Sequence, residues 1–367
     1  MNRLFRFGVV GGGGATGRVV VAELWRSCEG AIRIAGRDIA KANALAAGFD
    51  QRVSACHLDV FDDDSLSRFC RECSIIVNCG GPVMALQDRV AQAALQGACH
   101  YVDLASLTIV KERMEALAEK IEELELSFVT SAGWLPGLSE FIPFYAYATA
   151  KGKMDVVDSV TAYFGDSGEW SVAAFQDMAW FLRRSGLRHP GFFHRGERVR
   201  TGWFAASPKV DLGGQIGRRQ FNLVSMPEID EVGRRLIDCD FFAYAFLPGF
   251  RVAMSAALVS LIPIPNRLAT RMLRRAFRRT LLPVGGFVVA RVRGSSQGRR
   301  CGLDVQVVYD KRRDYWINGT IIATVARLIA EGGVIRTGIH YLADSVDPIK
   351  FMAELRKAGI EPVEKFE

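Results

Sequence analysis

The chain has 367 residues, 49% hydrophobic and 24% charged, which excludes wholesale disorder and leaves enough apolar mass for two domains. Its formal net charge of +7 is uneven, because no acidic residue falls between Asp240 and Asp304 while arginine recurs there. No nucleic-acid-binding module accompanies that stretch, so nucleic acid is not expected as a partner.

Leu4 to Val10 is a short apolar run leading into GGGGATGR and then VVVAELW, the pattern of a buried strand, a glycine turn and a helix. Ala31 to Ala35 reads as a second strand ending in Gly36-Arg37-Asp38, and Lys41 to Ala47 as helix. Val53 to Leu58 is a third strand, followed by a helix for which Asp64 is the expected cap. Ile75 to Cys79 is a fourth strand broken by Gly80-Gly81-Pro82, then a helix from Met84 to Gln96 and the strand His100 to Leu104. A long charged helix, KERMEALAEKIEEL, precedes a sixth strand from Leu126 to Ser131. Apolar strands alternating with helices predict a doubly wound parallel sheet of the Rossmann type, an α/β fold. From Val156 onward the strands Val157–Phe164, Gln220–Met226, Phe287–Val292 and Leu303–Val308 are widely spaced, and the last alternates polar with apolar. That predicts an α+β second domain with a largely antiparallel sheet. Ile317 to Ala330 reads as an apolar helix closed by Gly332-Gly333, and DPIKFMAELRKAGI as a short amphipathic one.

Cys70 and Cys73 are spaced like a redox or zinc pair, but no second pair lies at ribbon spacing. They read as buried apolar thiols, and no metal is expected. Cysteine usage and the lack of a secretory apolar core near the N-terminus point to a cytoplasmic protein.

Gly12-x-Gly14-x-x-Gly17 fits a dinucleotide fingerprint, in which glycines give a tight turn, close approach to a pyrophosphate and close helix packing. Gly11-x-x-Gly14-x-x-Gly17 fits the same residues equally well. Gly12, Gly14, Ala15, Thr16 and Gly17 therefore become candidate cofactor contacts, with the helix N-terminus aimed at the anion. An acidic residue closing the second strand would favour NAD(H); here Arg37, with Lys41 one turn later, favours the 2′-phosphate of NADP(H), although Asp38 could face a ribose instead. Asp59 is a candidate near the adenine or, equally, a turn cap. Asn78, Gly80, Gly81 and Pro82, with Ser131 and Gly133, end strands where the nicotinamide half should lie.

GGGGATGR, AGRD, NCGGP, HYVDLAS, AGWLPGLSEF and the tail VDPIKFMAELRKAGI together resemble the saccharopine dehydrogenase-like (saccharopine reductase) family. The resemblance covers about residues 5 to 145 and 316 to 360. It implies an NAD(P)-dependent oxidoreductase, a homodimer, with a Rossmann domain at 1–135, a substrate and dimerisation domain at 136–315, and a return to the Rossmann domain at 316–367. It also implies hydride transfer to a C=N bond of a small-molecule substrate; a related branch reduces C=C bonds of lipids. The family's reductase that makes saccharopine carries an aspartate before the loop proline, where this chain has Leu135. That departure speaks against saccharopine itself. A non-catalytic NADP(H)-binding protein is the reading from a different class.

Hydride transfer also needs a group that supplies or orients a proton. Asp103, Tyr163 and His340 are the candidates taken forward, with Tyr101 and His194 behind them, and each also has an ordinary structural reading. Arg267, Arg271, Arg274, Arg275 and Arg278 share one face of a helix whose other face carries Leu268, Ala269, Met272, Ala276 and Phe277. An uncharged apolar run from Val252 to Pro265 precedes it, too short to cross a bilayer. A solvated basic face is the plainer reading. Peripheral membrane contact through residues 252–280 is the alternative, and would suit a lipophilic substrate.

Overall fold

Seven short, mostly apolar strands pair in parallel to form the sheet of a first unit in the computed structural model. It describes residues 5–106, 108–166, 170–185, 190–202, 207–246, 249–278, 283–332 and 334–367. The first six strands are β1 (Arg6–Val10), β2 (Ala31–Gly36), β3 (Val53–His57), β4 (Ile75–Asn78), β5 (His100–Asp103) and β6 (Ser127–Thr130). The seventh, Gly338–Tyr341, comes from the far end of the chain and pairs with β6. In space the order is the late strand, then β6, β5, β4, β1, β2 and β3, so the winding reverses between β1 and β4. Open α/β sheets leave their ligand crevice at that reversal, outside the carboxyl ends of the strands.

This unit comprises Met1–Gly137 and Tyr315–Ala358. Helix α1 (Ala15–Ser27) packs on the sheet through Gly17, Val20, Val21 and Leu24, all buried. Helix Asp314–Glu331 crosses α1 so closely that a Cβ on Gly319 would lie 2.5 Å from the Cβ of Val19. Arg327 ties the same helix to Pro348–Lys357 by bonding both Glu331 and Glu354.

Several sequence expectations need correction here. Asp62, not Asp64, caps the helix Asp63–Arg71, its carboxylate accepting from the Ser65 amide. The helix expected over Met84 to Gln96 is two, Val83–Leu86 and Arg89–Gln96, separated where Gln87 takes a φ of 51°. The charged helix is likewise divided by a 3₁₀ turn at Glu115–Leu117. No seventh strand was expected.

The second unit comprises Leu138–Asp314 and Gly359–Glu367. Its main sheet has eight strands, antiparallel except where Asp240–Ala245 runs parallel to Val156–Asp166. Long hairpin partners Gly286–Ser296 and Arg299–Tyr309 form its centre. The expected strand Gln220–Met226 reduces to Arg218–Gln220 and Asn222–Leu223. Not all of 316–367 returns to the first unit: Val363–Phe366 pairs with Leu303–Gln306 in the second sheet.

Candidate cofactor and active site

The glycine turn joins β1 to α1 at the reversal of strand order. Gly11 has a φ of +71°, which makes it the residue of the tight turn. A Cβ on Gly17 would sit 2.4 Å from the Gly11 carbonyl and 2.6 Å from the Gly12 Cα, so only glycine permits this approach of helix to turn. Gly17 is common to both registers, and the positive φ of Gly11 is what favours Gly11-x-x-Gly14-x-x-Gly17. Gly13 is open by contrast, with only the Lys41 stem nearby at 3.7 Å. Gly14 occupies the cap position of α1, where no side chain satisfies the first-turn amides. These amides and the dipole behind them form an anion cradle whose chemistry fits a pyrophosphate.

Arg37 and Lys41 are exposed, and neither side chain has a polar partner among the described residues. Asp38 is engaged elsewhere: its carboxylate accepts the Lys41 amide at 2.9 Å and caps α2 (Ile39–Ala46). That leaves the two cations as the free charges at the end of β2. Asp59 accepts the Phe61 amide at 3.0 Å and so closes a turn after β3.

On the other side of the reversal, Gly11 abuts Cys79 and Gly80, since a Cβ there would lie 3.0 Å from both. Asn78 is the hub of this side. Its carbonyl accepts from the Gly80 amide at 3.0 Å, and its amide donates to the Tyr101 hydroxyl at 3.1 Å. One strand further along, Asp103 is 3% exposed and accepts from the Ser131 amide at 2.9 Å through Oδ1. Its Oδ2 is buried with no hydrogen-bond partner among the described residues. Burial lifts the Asp103 carboxyl to about 7, against the opposing pull of the Ser131 amide and the Tyr101 hydroxyl. Burial and the neighbouring Asp103 push Tyr101 well above its ordinary range, so it stays a neutral hydroxyl. Ser131, with φ +57°, shares a 3.0 Å hydrogen bond with Ser106. Gly133 donates to the Pro136 carbonyl, and Asn318 accepts the Trp134 amide at 2.9 Å, fixing the AGWLPG loop to the returning helix. Sequence reasoning missed Asn318, which belongs to no motif, and passed over Ser106, which closes HYVDLAS without a distinct signal of its own.

The other proton-handling candidates fall elsewhere. His340 lies in the late strand with its ring Nε2 2.8 Å from the Thr337 carbonyl and turned toward Gly338 and Glu122, back along the strand from its carboxyl end. It is removed from the crevice end of its own sheet, which corrects the expectation. Tyr163 is a core residue of the second unit: its ring stacks on Tyr244 at 5.5 Å and meets Phe221 edge-on at 5.0 Å. His194 is a cross-strand partner of Asp240 at 2.7 Å. Cys70 and Cys73 have thiols pushed up by burial, the latter to about 12, so both are poor nucleophiles. No group of metal-ligating side chains occurs among the described residues.

Comparison with known proteins adds three findings. Residues 7–129 match the family model of the saccharopine dehydrogenase NADP binding domain. An Arabidopsis thaliana protein described as a probable mitochondrial saccharopine dehydrogenase-like oxidoreductase is 35% identical over 77 residues, which is 21% of this chain and only 17% of that relative. Among solved structures, the apo saccharopine dehydrogenase (L-Glu forming) of Saccharomyces cerevisiae aligns over 99% of this chain and 100% of its own, with a TM-score of 0.70 at 14% identity. That last likeness is one of fold, and it extends through both units.

Proposed function

We propose that this chain, whose residues 7–129 match the saccharopine dehydrogenase NADP binding domain, is an NADP(H)-dependent oxidoreductase that reduces a C=N bond by hydride transfer. The observation that carries the proposal is the pairing, at one sheet reversal, of an uncapped glycine cradle with two free cations at the end of β2. The cradle suits any dinucleotide; Arg37 and Lys41 suit one with an extra phosphate.

Bound NADPH would supply the hydride. The chain's own task is to hold the dinucleotide in the Gly11–Gly17 turn, orient it through the Asn78 and Gly80 side of the crevice, and manage one proton. Asp103 is assigned that proton. A carboxyl lifted to about 7 holds both its neutral and its ionised form at neutral pH, so it can give up a proton there and can ionise beside a cationic nitrogen. A C=N bond that gains a hydride at carbon and a proton at nitrogen becomes an amine, and a protonated imine arrives with the proton already in place. In that case the Asp103 carboxylate stabilises the cation rather than supplying the proton. Leu135 stands where the family's saccharopine-forming reductase has an aspartate, so the substrate's polar end is expected to differ from that of saccharopine.

Titration with NADPH and NADH tests the cofactor assignment. Arg37→Ala is expected to weaken NADPH at least tenfold, about the value of one charge-assisted pair, and leave NADH unchanged. Equal loss for both nucleotides removes the 2′-phosphate role from Arg37. Failure of the wild-type protein to bind either nucleotide overturns the function.

A further inference from the structure

The apolar surface of the second unit is not distributed at random. Helix Phe250–Leu261 buries Val252 and Val259 on its inner side, against helix Val172–Ser185. Its outer side should then be polar, as on any solvated amphipathic helix. Instead Met254, Leu258 and Leu261, spaced four and three residues apart, form an outward stripe that is 43%, 36% and 71% exposed. The stripe continues around the following turn through Ile262, 48% exposed, to Leu268 on the next helix, 49% exposed. Leu268, expected on the inward face, is therefore outward, while Ala269, Thr270, Leu273 and Ala276 make the buried face of that helix.

Around this apolar ridge the charge has one sign. Arg267, Arg271, Arg274 and Arg278 recur at helical spacing on the exposed side of helix Asn266–Phe277, with Arg275 beside them and Arg251 at the head of the stripe. No acidic residue lies anywhere from 241 to 303 to neutralise them. The turn between the helices is fixed: the Arg183 guanidinium donates to the Ile264 carbonyl, and the underlying core contains Phe175, Ala179, Val259, Ala269 and Leu273. A solvated helix accounts for the arginines alone. It does not account for leucines on the same outer surface of two successive helices.

We propose that this helix pair seats the protein on an anionic lipid bilayer, with Leu258, Leu261, Ile262 and Leu268 entering the acyl boundary and the arginines meeting the phosphate headgroups. Apolar tip and basic girdle are the two components of interfacial attachment, and arginine can extend its stem over apolar surface while its head stays at the phosphates. Among the described residues no helix is long and apolar enough to cross a membrane, so the seat is in the interface plane. The surface is independent of the cofactor crevice, and the proposal stands whether or not the reductase reading does.

The test is flotation of the full chain with phosphatidylcholine vesicles, with and without phosphatidylserine. Strong preference for the anionic vesicles, declining as salt rises, is expected. The triple variant Arg271→Ala, Arg274→Ala, Arg275→Ala should lose about a hundredfold in vesicle affinity, at roughly fivefold per arginine near a charged surface. Leu258→Ser with Leu261→Ser should also abolish flotation, and since both side chains are outward the fold should survive, as NADPH affinity and circular dichroism would verify. A Leu261→Trp variant reports insertion directly, because bromine on the lipid acyl chains should quench its fluorescence. Absence of quenching, or flotation unchanged in the double serine variant, overturns the proposal. So does a concentration-dependent dimer that the serine variant dissociates while vesicles bind neither form, which would assign the ridge to a second copy of this chain. Retention on an acidic protein without vesicle binding would equally overturn it.

Discussion

Asp103 gives the most exacting test of the site. A carboxyl with a value of about 7 in the folded chain and about 3.9 unfolded binds its proton more tightly when folded. Between those two values the native state carries more protons than the unfolded state, so its stability falls as pH rises and levels off above about 7. The full penalty is about 3 pH units at 1.36 kcal/mol each, or about 4 kcal/mol, of which about 3 kcal/mol develops between pH 5 and 8. Asp103→Asn removes the titration. The amide oxygen can keep the Ser131 N–H now bound at 2.9 Å, and its nitrogen takes the place of the unpartnered Oδ2. Whatever constant cost the swap itself carries, the stability difference between variant and wild type should move by about 3 kcal/mol in favour of the variant from pH 5 to pH 8. Urea unfolding of both proteins at the two pH values measures this directly. Parallel pH dependence would refute the reasoning, since it would mean that Asp103 ionises as freely inside the protein as outside. The same variant should lose about a hundredfold or more in turnover on a substrate that needs the proton, with little change in NADPH affinity.

Two glycines extend the test to packing. Gly17→Ala puts a methyl 2.4 Å from the Gly11 carbonyl, a backbone atom that cannot rotate away. It should destabilise by about 1–3 kcal/mol and abolish dinucleotide binding measured by calorimetry; retained binding would show that the turn is not the cradle. Gly319→Ala, some three hundred residues further along the chain, places a Cβ 2.5 Å from that of Val19 and should push helix Asp314–Glu331 off α1. A lower thermal midpoint together with weaker NADPH binding is expected, and an unchanged affinity would show that α1 holds its position without the returning helix.

The first sheet was legible because its signals are local. Apolar runs such as Ile75–Val77 bounded by glycine and proline admit one reading, and the glycine turn declares itself between strand and helix. Only geometry separates the two glycine registers, since the deciding fact is the positive φ of Gly11. The late strand Gly338–Tyr341 escaped because four residues between a glycine pair and a short helix carry too little periodicity. His340 then looked like a polar residue without a structural task, whereas its ring is engaged with the Thr337 carbonyl. Tyr163 misled for the opposite reason: it sits on a strand whose inward face only the pairing with Asp240–Ala245 and Gly286–Ser296 defines. In the second unit the short strands Gly191–His194 and Glu197–Arg200 pair through a turn at Arg195-Gly196, both with positive φ, but polar residues hide the alternation. The outward leucines of Phe250–Leu261 could not be read from the sequence, because periodicity marks an apolar face without saying which side is covered.

The site itself shows why fingerprint matching stops short of mechanism. The fingerprint marks where a phosphate can approach, and it does so with backbone, through glycines that are diagnostic by what they lack. The side to which we assign the proton is built differently. Asn78 and Asp103 end β4 and β5, Tyr101 lies within β5 and Ser131 directly follows β6, and their hydrogen bonds run across the sheet rather than along the chain. Asp103 acquires its altered affinity from burial between those strands, a property that no neighbour in sequence confers. The loop beyond β6 is fixed in turn by Asn318, contributed after the chain has passed through the Leu138–Asp314 part of the second unit. Local sequence therefore specifies the anion cradle, whereas the chemistry beside it depends on strand order and on the returning helix.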